Sequence, residues 1–296
     1  MTIDLRVADT DADLELWRTV RMALLPNERT LTVAEMQAQA APGQLLLLAF
    51  RDGKLAGSGI TSRSDSGGAF TQPRVLPGHR RRGVGTGLLR TLAAHALDHG
   101  FTEAGAQVEE QEALPFAARF GFVERGRQIE QVRAVARHEL PTEMPEGIEL
   151  VPLAGRADLA QRLYPELVRE ALRDFAVDPP IEITEEIWWS RWLTSTDATF
   201  VALDGDEIVG MAGLMPVADQ PDRAENALTA VRRDQRRRGI ARALKQHTIH
   251  VASQRGLREI YSWTQTGNEP MQALNRSLGY VDRTVVVTVR ATLPLP

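Results

Sequence analysis

Two short stretches gather the side chains best suited to chemistry on an anion. His79-Arg80-Arg81-Arg82-Gly83-Val84-Gly85 and Gln235-Arg236-Arg237-Arg238-Gly239-Ile240-Ala241 each carry three arginines followed by small residues at the same spacing. Guanidinium groups hold phosphate oxygens through charge-assisted hydrogen bonds, and glycine lets a phosphate reach backbone N–H groups without meeting a side chain. Helical spacing of Val84, Leu88 and Leu92, and of Ile240, Leu244, Thr248 and Val251, places a helix directly after each stretch. A strand, a small-residue turn and a helix N-terminus aim free N–H groups and the positive end of the helix dipole at one spot, which suits a pyrophosphate. A single stretch of this kind is read as readily as solvated charge ahead of a helix. Its duplication in one context favours the anion site.

Other chemistry-bearing residues point elsewhere. Trp188, Trp189 and Trp192 follow Glu182, Glu185 and Glu186, and tryptophans at helical spacing predict a core stripe. The six histidines show no metal-ligand spacing, because His95 and His99, four apart on a helix, have no third ligand near them in sequence. No metal is expected. The absence of cysteine removes disulfides, thiolate metal sites and a cysteine nucleophile.

The elements that must position the two loops recur in one order. Residues 45–50, the turn Asp52-Gly53 and Gly57 reappear as residues 199–203, Asp204-Gly205 and Gly210, an offset of 153 between the two glycines. The loops lie 156 apart, and Phe120-Gly121-Phe122 matches Leu278-Gly279-Tyr280 at 158. Each half reads as an opening strand (3–7; 148–153), a helical region, a hairpin on an Asp-Gly turn, a strand ending near Val75 or Val231, the loop, and a helix stopped at Gly100 or Gly256. This is a mixed α/β chain of two tandem domains. Pro141, Pro145 and Gly147 among charged residues set the boundary at about residue 143, giving domains 1–143 and 144–296.

At 296 residues the chain suits two domains of about 150 residues. A balance of 43% hydrophobic and 25% charged residues is that of a packed globular protein. Apolar runs are far shorter than the roughly 18 residues a membrane span needs, and the amino terminus lacks the pattern of a signal peptide. A cytoplasmic location with no membrane partner is expected. The net charge of −4 argues against nucleic acid as the partner of the arginine clusters.

Arg80-x-x-Gly83-x-Gly85 and Arg236-x-x-Gly239-x-Ala241 resemble the Gln/Arg-x-x-Gly-x-Gly/Ala signature of the GCN5-related N-acetyltransferases. The resemblance implies, in each half, a mostly antiparallel central sheet with one splayed strand pair, flanked by helices. It implies that acetyl coenzyme A is the donor, held along the splay with its pyrophosphate on Arg80, Arg81, Arg82, Gly83, Val84 and Gly85, or on Arg236, Arg237, Arg238, Gly239, Ile240 and Ala241. Val75 and Val231 take the position whose backbone N–H polarises the thioester carbonyl.

By the same resemblance the halves diverge. The second keeps Asn268, Met271 and Gly279 of a family pattern but has Asn275 where a tyrosine acid is usual; the first has Glu110, Ala113, Ala117 and Gly121. A family glutamate eleven residues before the signature falls on Glu225 in the second half and on Ala69 in the first, with a merely solvated Glu225 as the other reading. The implied function is transfer of acetyl to a primary amine, of a small molecule rather than a protein, by direct attack in the second half. The tryptophans then admit an alternative role as an aromatic, acidic lip for a cationic amine. A competing reading is a module that binds acetyl coenzyme A without turnover, in one half or both.

Overall fold

The computed structural model describes residues 2–28, 30–64, 67–109, 113–174, 183–217 and 220–296, with the backbone alone at Arg191. The chain folds into two compact units, Met1–Arg125 with Val286–Pro296, and Gly126–Val285.

The first unit begins with β1 (Ile3–Val7), α1 (Asp11–Leu24) and α2 (Val33–Ala38). Thr10 caps α1 by accepting from the Asp13 N–H, and Thr32 and Glu35 form a reciprocal capping box on α2. Leu14, Trp17 and Val20 recur at helical spacing and are the apolar face α1 buries. β2 (Leu45–Arg51) and β3 (Lys54–Arg63) are joined by Asp52 and Gly53, both at positive φ (51° and 75°), as a two-residue turn matching strand twist requires. β4 (Ala69–Val75), α3 (Val84–Asp98), β5 (Glu103–Glu109) and α4 (Leu114–Ala118) follow. The sheet runs β1-β2-β3-β4-β5, with β4 and β5 parallel and the other neighbours antiparallel.

The chain then enters the second unit within β6 (Val123–Ala134). There β7 (Ile148–Pro152) leads to an irregular helical stretch: α5 (Ala157–Leu163), a π turn over Tyr164–Val168 and α6 (Arg169–Ala171). Pro165 in that turn lacks the N–H an α-helix would use, which accounts for the wider turn. After α7 (Glu185–Ile187) come the strands β8 (Thr199–Asp204), β9 (Glu207–Val217), β10 (Gln220–Asn226) and β11 (Ala230–Val231). α8 (Ile240–Gln254), β12 (Glu259–Gln265) and α9 (Glu269–Ser277) complete the set, and β13 (Val281–Thr292) carries the chain back to the first unit.

The closing strands are therefore exchanged. β6, last in the first half of the sequence, pairs with β12 from Gln128↔Gln265 to Ala134↔Glu259. β13, last in the second half, pairs with β5 from Val286↔Glu109 to Thr292↔Glu103. The compact units differ from the sequence halves 1–143 and 144–296 by this exchange. No helix among the described residues is long and apolar enough to cross a membrane.

Candidate active site

In the second unit, parallel pairing of β10 with β12 runs through Arg223↔Glu259 and Ala224↔Ile260 and ends at Glu225↔Tyr261. Opposite β9, Asn226 faces Leu214 and Ala230 faces Met211, so four steps along β10 and β11 match three along β9. This one-residue bulge bends the strand away from β12. In the first unit β4 has no bulge, since Gln72↔Ile60 and Val75↔Gly57 advance together, and its parallel pairing with β5 ends at Phe70↔Gly105. The residue standing where Glu225 stands is thus Phe70; counting back from Arg80 gives Ala69 because the count omits the bulge.

Past the bulge, Arg232 N donates to Val209 O at 2.9 Å. Ladder bonds alternate along an antiparallel pair, so the Val231 N–H turns away from β9, toward the gap. Leu76 N to Ala56 O, also 2.9 Å, sets Val75 the same way in the first unit. Beside Val231 lies a shallow hollow between Leu167, Glu170 and Arg233.

The first arginine of each loop fastens the end of its strand: Arg236 Nε donates to Val231 O at 3.1 Å and Arg80 Nε to Val75 O at 3.3 Å. Arg237 and Arg81 take left-handed φ of 65° and 60°, and Gly239 and Gly83 both take 85°. Neither α8 nor α3 has a side-chain cap, leaving first-turn N–H groups for a ligand. Ile240 and Val84, each 1% exposed, point into the core and can offer only backbone. A Cβ at Gly85 would stand 3.4 Å from Val75 and 3.5 Å from Phe116. Arg238 pairs with Asp204 at 2.9 Å, and Asp174 pairs with both Arg233 and Arg236. Burial opposes it, but those two arginines hold the Asp174 carboxyl below its ordinary range.

Glu225 is half-buried and accepts from Tyr261 Oη at 3.3 Å. Burial first, then the Glu225 charge, push the Tyr261 phenol far up, so it stays protonated. Asn226 is buried at the point of parting: its Nδ2 donates to Tyr261 O and to Tyr280 Oη, both at 3.0 Å, while Lys245 Nζ donates to its Oδ1 at 3.2 Å. Lys245 is 1% exposed, 5.1 Å from the Tyr280 ring centroid, and burial brings its pKa from 10.5 down to about 7. Sequence reasoning did not single out this cluster. The trace it left is a lysine on the buried side of α8 where the first half, at the offset of the loops, has Leu89.

Residues 13–122 and 161–280, most of the chain in two segments, match the Acetyltransferase (GNAT) family. The chain belongs to that family. It is 29% identical over 261 residues to a mycothiol acetyltransferase of Nocardia farcinica, covering 83% of this chain and 82% of the relative. A GCN5-related N-acetyltransferase from Sphaerobacter thermophilus superposes with a TM-score of 0.80 at 22% identity, over 98% of this chain and 95% of that one. A tandem GNAT protein from the clavulanic acid biosynthesis pathway superposes with a TM-score of 0.72 at 19% identity, over 98% of both chains. This chain is thus a GNAT acetyltransferase with the tandem fold.

The remaining GNAT-pattern positions of the second unit have structural partners. Asn268 caps α9, its side chain accepting from Met271 N at 3.3 Å. Asn275 is fully buried, its Nδ2 donating to Gln131 Oε1 at 2.8 Å and Thr264 Oγ1 at 3.3 Å. It therefore ties α9 to the exchanged strand β6, and an amide cannot protonate a thiolate. In the first unit Ala117 is apolar and buried, while Glu110 lies outside the described residues. Trp188 is fully buried in the core, with Trp189 and Trp192 packed against it, so the stripe is a packing feature; Glu182 also lies outside the described residues. His95 and His99 stack at 4.0 Å and bond to backbone carbonyls.

Proposed function

We propose that the second unit transfers acetyl from acetyl coenzyme A to the primary amine of a small molecule by direct attack. The observation that carries this reading is the parting of β10 from β12 immediately after Glu225, with the Val231 N–H turned into the gap and an uncapped helix N-terminus after it. That opening suits an extended thioester arm, and the loop Arg236 to Ala241 suits its pyrophosphate through backbone N–H groups and nearby guanidinium charge. The donor supplies an activated acyl group. Glu225 takes a proton from the substrate ammonium, directly or through water; the amine nitrogen bonds to the carbonyl carbon, the carbon–sulfur bond breaks and the thiolate gains a proton. The Val231 N–H faces the oxygen that becomes negative, a contact of the kind worth about 3 kcal/mol. The name of the relative from Nocardia farcinica favours a small-molecule acceptor.

The first unit fits the part of a module without turnover. Phe70 stands in place of Glu225, and the gap beyond it is bridged by Gln72, whose Nε2 donates to Gln107 O at 2.7 Å while Gln107 N donates to its Oε1 at 3.1 Å. The test is release of free thiol from acetyl coenzyme A by the full chain across a panel of small amines. Acetylated amine in step with thiol is expected; thiol release without an acetylated amine would overturn the assignment of a primary amine as acceptor.

A further inference from the structure

Arg74 on β4 makes no ion pair among the described residues. Its Nη1 is sealed from solvent and has no hydrogen-bond partner. Ser58, its cross-strand partner on β3, is fully buried, and its Oγ is also without a partner. Residues opposite each other on antiparallel strands share a face of the sheet, and on this face the Arg74 guanidinium carbon stands 5.9 Å from the centroid of the Trp17 ring on α1. Among the described residues the charges near it do not balance. Arg21 repels Arg74, and Glu28, which pairs with Arg21 at 3.0 Å, attracts it more weakly. Burial and that repulsion bring the Arg74 pKa from 12.5 down to about 9, which leaves it charged at neutral pH. The second unit has Ala230 at the matching place, opposite Met211, so the arrangement is not part of the shared fold.

Arg74 as a whole is half-buried with its Nη1 sealed, and water can satisfy an N–H but does not neutralise a charge drawn part-way from solvent. A carboxylate does both, presenting two oxygens to the guanidinium and accepting from a hydroxyl. The Trp17 ring would cover an apolar body attached to it, while its own Nε1 is engaged with Gly59 O at 2.9 Å. We infer that Arg74, Ser58 and Trp17 form a binding site for a small carboxylate in the first unit, independent of acetyl transfer in the second. The Gln72 bridge, on the same face two residues earlier, closes the strand gap beside it.

The full chain is titrated with sodium acetate and sodium butyrate at constant ionic strength, by calorimetry and by thermal melting, with acetyl transfer assayed in parallel. One saturable equivalent is expected, with butyrate bound more tightly than acetate, at least tenfold weaker binding in Arg74→Met and weaker binding in Ser58→Ala. Arg74→Met should also melt above the wild type in the absence of carboxylate, because it removes an uncompensated charge. Equal titrations in wild type and Arg74→Met, or tighter binding of inorganic phosphate than of acetate, would overturn the assignment. Since acetyl transfer is read separately, its presence or absence bears on the second unit alone.

Discussion

Glu225 and Lys245 lie on either side of one strand, and each has a measurable signature. A carboxylate that removes the ammonium proton accelerates the reaction by about 10²-fold to 10⁴-fold, so Glu225→Gln should lower kcat by that order while donor affinity, read by calorimetry, is retained. Activity should partly return at higher pH, where more of the amine is free; a rate and pH profile like wild type would show that Glu225 is not the base. Lys245 acts on stability. Its folded pKa of about 7 lies below its ordinary 10.5, so between those values the unfolded chain holds a proton that the folded chain does not. Stability should therefore rise with pH across that window, at up to about 1.4 kcal/mol per pH unit. Lys245→Met should flatten the slope and raise the melting temperature at pH 7, since Asn226 keeps its bonds to Tyr261 and Tyr280. An unchanged slope in denaturant titrations from pH 7 to 10 would mean that Lys245 is charged in the fold.

At the scale of elements, what the two units share lies in local pattern, and local pattern is where the sequence was readable. The first hairpin on Asp52-Gly53, the helices after each loop and the strands ending at Val75 and Val231 all follow from periodicity and turn chemistry. The second hairpin turns one residue later than its Asp-Gly pair, on Gly205 and Asp206, because Asp204 still pairs with Glu207. The bulge was not readable as such, although part of the drift in repeat offset from 153 at the hairpin to 156 at the loop is its trace. It separates a strand that parts from β12 beside a carboxylate from one that parts beside Phe70. Loop variants should separate the units accordingly. Gly239 and Gly83 share a left-handed φ of 85°, where any side chain is strained, and tryptophan at either position would also cover the N–H groups of its loop. Gly239→Trp should abolish acetyl transfer, and Gly83→Trp should leave most of it. The reverse pattern in the thiol-release assay would move the active site to the first unit.

At the scale of the whole molecule, the exchange of β6 and β13 was hidden because a strand's own sequence does not say which sheet edge it joins. Its side chains, read against both edges, do. β13 presents Val287, Val289 and Ala291 opposite Val108, Ala106 and Ala104, all buried with Phe120 and Phe122. β6 presents Ile129, Gln131 and Arg133 opposite Thr264, Ser262 and Ile260. Gln131 meets Asn275 and Asp282, and Arg133 Nε donates to Leu278 O at 2.7 Å. Moved to the first unit, Gln131 and Arg133 would lie against alanine and phenylalanine, and each buried polar group left unpaired costs about 1–3 kcal/mol, more for the charged one. Polarity thus assigns each strand to its edge. Fragments 1–143 and 144–296, produced separately, should each lack a matching closing strand and fail to give a cooperative melt, whereas the two produced together should co-purify as a one-to-one complex that melts cooperatively. Asn275→Leu, which breaks the tie to Gln131, should weaken that complex. Two fragments that each fold alone as stable monomers would show that either strand closes either sheet, and that polarity does not sort them.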